Sequence, residues 1–184
     1  MKKSILITVL TLVIFTVMVT AQDKTAKYVG SEKCKVCHKA ASRGDQYSIW
    51  EKSLHAKAYA TLATEQSKEV AKKAGVTSDP QKAAQCLKCH VTAYEAPATA
   101  IDASFKQSEG VGCEVCHGPG SIYKTLKIMK DLAAGVQDPK AVGFIAGDEA
   151  TCLKCHNTES PTYKEFKYDV DYAKIAHPLP DKTK

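Results

Sequence analysis

Arginine is almost missing from this chain. Of 26 basic residues Arg43 alone is an arginine, and the others are lysines. The clustered guanidinium groups that grip phosphates bidentately are thus absent, which speaks against nucleic-acid binding. Aromatic residues are also few, with 8 Tyr, 4 Phe and 1 Trp in 184 residues. So little large, flat apolar surface leaves room for a non-protein group in the core. Convincing alternation of apolar and polar residues is missing too, which argues against a sheet. Cysteine is missing everywhere except in one pattern.

That pattern occurs four times: Cys34-Lys35-Val36-Cys37-His38, Cys86-Leu87-Lys88-Cys89-His90, Cys113-Glu114-Val115-Cys116-His117 and Cys152-Leu153-Lys154-Cys155-His156. It uses all 8 cysteines and four of the 6 histidines. C-x-x-C-H is the attachment signature of c-type haem. Its two thiols form thioethers with the haem vinyl groups, and the adjoining His ligates the iron. Zinc also binds C-x-x-C pairs, but it does not ask for a His after every second Cys. Four structural disulfides, the usual meaning of an even Cys count in an exported protein, leave the same histidines unexplained. The motifs therefore predict four covalently bound haem c groups.

Met1-Lys2-Lys3 followed by the uncharged apolar run Ile5 to Val19 reads as an export signal, with a cleavage site at Val19-Thr20-Ala21. The run is short for a bilayer span. The expected organisation is a signal peptide over residues 1–21 and a single tetrahaem cytochrome domain over 22–184. The expected location is the periplasm or another extracytoplasmic space, with no stable membrane span once the leader is cleaved. About 41 residues per haem cannot enclose four porphyrins in an ordinary protein core, so the haems are expected to form much of it. The net charge of +6 comes from lysines such as Lys33, Lys35 and Lys39 around the first motif. These read first as a solubilising face, and second as a surface that steers an acidic redox partner.

The motif starts lie 52, 27 and 39 residues apart, so the chain is not a tandem repeat. Residues 45–62 carry Tyr47, Trp50, Leu54, Ala58 and Leu62 at helical spacing and predict one amphipathic helix. Residues 65–74 continue the helical signal until Gly75. Asp79-Pro80 opens a short helix into the second motif, and Ser121 caps a helix running to Ala134. Gly147-Asp148 leads into the fourth motif. The predicted class is mainly α: a small multihaem cytochrome c with irregular loops.

Ligand supply decides what each iron can do. Four haems with two His each need more histidines than the chain has, since only His55 and His177 lie outside the motifs. Both are candidate distal ligands. Met129, the one methionine after residue 21, can supply a thioether or be an ordinary core residue. One iron is then left without a partner.

Further residues resemble the tetrahaem cytochrome c-554 family. They are Tyr28-Val29-Gly30-Ser31, Trp50-x-x-Ser53-x-His55-Ala56, Gly112 to Ser121 around the third motif, and Ile175-x-His177-Pro178. The resemblance implies a mainly helical periplasmic electron carrier with closely packed haems. It further implies His177 opposite His38, His55 opposite His117, and a five-coordinate iron on His90. The family's type member takes a distal His for its fourth haem from the helix after the third motif. This chain has Lys127 and Met129 there, so the expectation becomes His156 with Met129.

The function expected is electron transfer between redox protein partners through these haems. One alternative is reduction of nitric oxide or a similar small molecule at the His90 iron, with Tyr94 or Tyr163 as proton donors. Another is a polymerising subunit, an oligomer in which a neighbour's His completes the open haem.

Overall fold

In the computed structural model, residues 25–179 are described; the expected signal peptide lies outside them. Among the described residues, nine short α-helices are connected by turns: α1 (Glu32–His38), α2 (Gln46–Lys52), α3 (Ala58–Thr61), α4 (Glu65–Lys73), α5 (Ala84–His90), α6 (Cys113–His117), α7 (Leu126–Ala133), α8 (Glu149–Leu153) and α9 (Tyr168–Tyr172). Among the described residues there is no strand, only a bridge between Tyr28 and Ile101. The class is mainly α, as predicted. Among the described residues no helix is long and apolar enough to cross a membrane.

Local signals explain the ends of several helices. Thr64 caps α4 by accepting from Ser67 N at 3.2 Å, and Gly75 follows its end at φ +76°. Asp148 caps α8 through Thr151 N at 2.8 Å. Two expectations need correction. Ser121 caps nothing; its hydroxyl accepts from Lys27 N at 2.7 Å, and Thr125 caps α7 instead. The helix expected over 45–62 is two helices, α2 and α3, broken at Ser53, which is extended at ψ 164°. Tertiary hydrogen bonds outweigh helical propensity at that break. Trp50 Nε1 donates to Val111 O at 2.8 Å, and Val111 N donates to His55 O at 3.0 Å. His55 therefore sits in a turn, with its backbone docked on the entry to the third motif.

The hydrophobic core is small. Leu62, Leu87 and Val91 form its centre, with Tyr59, Cys86 and Phe105 packed around them. Polar staples do much of the remaining work. Glu114, inside the third motif, is 2 % exposed. It accepts from Val29 N at 2.9 Å, Gly30 N at 2.8 Å and Gly120 N at 2.6 Å. Ser31 N donates to Glu109 at 2.5 Å, and Ser31 Oγ accepts from Cys113 N at 3.1 Å. The segment before the first motif is thus pinned to the third. Thr92, just past the second motif, accepts from Gly112 N at 2.7 Å and donates to Gly110 O at 2.8 Å. These contacts hold distant motifs side by side.

Candidate haem-binding site

Each motif begins on or inside a short helix, so its two thiols and its His project from about one turn. All eight cysteines are free and half-buried. Cys34 and Cys113 lie close enough together that their interaction raises the first thiol's pKa and lowers the second's. Cys89 and Cys155 are likewise neighbours, and burial, then Cys89, pushes Cys155 up to about 12. Cys116 and Cys152 are close enough to interact electrostatically. The motifs are therefore neighbours in the spatial order first, third, fourth, second. Lys88 of the second motif reinforces the last step by pairing with Glu159, just past the fourth.

Three motif histidines have Nδ1 engaged. His90 Nδ1 lies 2.7 Å from Ala58 O, His117 Nδ1 3.3 Å from Ile145 O, and His38 Nδ1 3.2 Å from Gln46 Oε1. An acceptor at Nδ1 places the proton there and leaves the Nε2 lone pair free for a metal. Burial lowers the pKa of His55, His117 and His177, which also favours the neutral, ligating form.

The two remaining histidines stand beside motif histidines. The rings of His55 and His156 are 6.1 Å apart between centroids and inclined by 71°. Those of His117 and His177 are 6.0 Å apart at 49°. Two imidazoles on opposite sides of one metal, each nitrogen about 2 Å from it, have centres about 6 Å apart. Both spacings fit. The resemblance implies His55 with His117 and His177 with His38; the nearest motif ring to His55 is that of His156, and His177 stands near both His117 and His38. Met129, expected opposite His156, is half-buried on α7. The break at Ser53 carries His55 off a continuous helix.

Haem c fits these residues. Paired rings, free Nε2 atoms and closely spaced thiols suit flat macrocycles, and among the described residues no group of three or more His, Cys, Asp or Glu is placed to hold a bare metal ion. Several contributors were not evident from sequence. Phe144 stacks on His117 at 5.6 Å and Phe166 on His156 at 4.8 Å. Gln46 had no motif to mark it. Glu114 did carry a signal: it is the only acidic residue inside any C-x-x-C-H. Tyr94 and Tyr163, the candidate proton donors, are both exposed.

Residues 33–118 match the family model described as cytochrome c554 and c-prime. Cytochrome c-554 of Nitrosomonas europaea is 34% identical over 102 residues, covering 54% of this chain. That stretch spans 41% of the relative's length. No solved structure matches. The family segment contains the first three motifs and the turn that carries His55, so the similarity to the cytochrome c-554 family falls on residues that build the site.

Proposed function

We propose that this chain is an electron carrier holding four covalent haem c groups, on Cys34, Cys37 and His38; Cys86, Cys89 and His90; Cys113, Cys116 and His117; and Cys152, Cys155 and His156. The observation that carries this reading is the spatial order of the thiols: Cys34 beside Cys113, Cys116 beside Cys152, Cys155 beside Cys89. When bound, each haem supplies a one-electron ferric/ferrous couple. The protein's part is to hold the attachment points contiguous, so that electrons enter at one end of the row and leave at the other. The first and second motifs are the ends. The scarcity of buried side chains fits haems that make up much of the core. Export to the periplasm by residues 1–21, a single domain over 22–184 and docking with other redox proteins belong to the same reading.

Ligation differs along the row. The interior pair takes His177 opposite His117 and His55 opposite His156. His38 and His90 then have no histidine left. The test is electron paramagnetic resonance on the ferric holoprotein, with haem counted chemically. Four haems are expected, two of them low-spin and bis-His. His55→Ala should abolish the signal of one and His177→Ala that of the other. A haem count below four, or one low-spin centre lost in both variants, refutes the assignment.

A second reading rests on the ligand shortage: His90 presents an iron at which nitric oxide or a similar small molecule can bind and be reduced. Mixing reduced protein with nitric oxide in stopped flow should then give reoxidation with turnover. Binding without reoxidation leaves the carrier reading alone.

A further inference from the structure

Gln46 opens α2 and is 8 % exposed, yet its amide meets three groups from separate parts of the chain. Its Oε1 lies 3.2 Å from His38 Nδ1. Its Nε2 donates to the Pro178 carbonyl at 2.8 Å and to the Arg43 carbonyl. The two carbonyls orient the amide, because only the nitrogen can donate to them; the oxygen therefore faces His38. A motif histidine that binds iron through Nε2 carries its proton on Nδ1, so His38 donates to Gln46. Pro178 directly follows His177, whose ring is 6.0 Å from that of His117. One buried side chain thus touches the proximal histidine of the first motif and the residue beside the distal histidine of the third. Space around it is tight: at Gly44, where φ is +96°, a Cβ would lie 2.7 Å from Pro178 O and 2.8 Å from Gln46 Nε2.

We propose that Gln46 is a positioning residue that links the first and third haems. Its oxygen sets the orientation and basicity of His38, and its nitrogen clamps the C-terminal segment so that His177 reaches its place opposite His117. The inference rests on the haem reading above. The two roles are separable. A stronger acceptor at Nδ1 makes an imidazole a better donor and stabilises ferric iron, so the potential falls; loss of the acceptor raises it. The clamp needs a donor, which a carboxylate lacks.

The test is a redox titration of the holoprotein followed by paramagnetic resonance, comparing Gln46→Glu, Gln46→Leu and Gly44→Ala. In Gln46→Glu the couple of the first haem should move to lower potential and in Gln46→Leu to higher, while the couple of the third haem, having lost His177, should move in the same direction in both. Both should lose the low-spin signal assigned by His177→Ala and gain high-spin intensity, while the signal assigned by His55→Ala persists. Gly44→Ala presses on the Pro178 carbonyl and on Gln46 Nε2 and should lose the His177 signal with the potentials of the second and fourth haems unchanged. A shift of the first haem's couple in the same direction in both Gln46 variants, or an intact His177 signal, would overturn the proposal. So would loss of the His55 signal together with the rest, since that marks a general folding role. A wild-type haem count below four would instead overturn the underlying reading, which the same samples report.

Discussion

At Glu114 a carboxylate has replaced an apolar contact as the means of joining two segments. Three backbone N–H groups of Val29, Gly30 and Gly120 converge on it, and each buried donor left unpaired costs about 1–3 kcal/mol. Glu114→Ala is therefore expected to destabilise the holoprotein by about 3 kcal/mol or more, read from denaturant unfolding. Burial raises this carboxyl's pKa, against the lowering effect of the same donors. A folded-state pKa above the unfolded one means that the folded chain binds the proton more tightly. Its contribution to stability is then greatest at low pH and declines as pH rises through that interval. Glu114→Gln should remove this slope from a plot of unfolding free energy against pH, although the amide supplies fewer acceptors. An unchanged slope would assign the linkage to another group.

The elements of this protein are too short to be stable alone, and their positions depend on crossing points between them. Gly110 is one such point. Its φ is +68°, and a Cβ there would meet His55 O at 2.8 Å. Gly110→Ala combines a left-handed backbone conformation with this clash, at a cost of about 1–2 kcal/mol. The displacement falls on the turn that carries His55. The expected outcome is partial loss of the low-spin signal that His55→Ala abolishes, with the His177 signal retained. α7 shows the opposite case: its Lys127–Asp131 ion pair is exposed on the lysine side at 85 %. Breaking that pair with Lys127→Ala should change stability by no more than about 0.5 kcal/mol in thermal unfolding.

Over the whole molecule the balance of apolar burial is unfavourable without a cofactor. Among the described residues the buried hydrophobic ones are Val29, Tyr47, Leu62, Ala71, Ala83, Leu87, Val91, Tyr123 and Val142, a small set for a chain of this length. A group that binds only the folded chain contributes its binding free energy to folding. The haem-free chain, made by replacing the eight cysteines with alanine, is expected to lack a cooperative unfolding transition by circular dichroism. A sharp transition in that variant would show that the polar staples and the small core suffice. Surface charge also operates at this scale. Around the first motif Lys35 pairs with Glu32 at 3.1 Å and Lys39 with Glu51 at 3.2 Å. The local positive field is weaker than the count of lysines suggests.

Much of this protein was legible before folding is considered. A five-residue motif carries two thiols and a histidine together, so the proposed attachment points follow from local covalent chemistry. The ligand shortage follows from counting histidines, and the mainly helical class from periodicity. A local cue, Gly75, also placed the end of α4. The pairing of irons with distal ligands was not legible, because it joins residues far apart along the chain. Helical spacing alone put His55 on a continuous helix; the contacts of Trp50 and His55 with Val111 broke that helix and turned the ring toward His156. Gln46 was silent for the same reason, since its partners come from the first motif and the C-terminal segment. Local sequence determined which groups can bind haem, and tertiary structure decided which of them face each other, because long-range hydrogen bonds set positions that no nearby residue encodes.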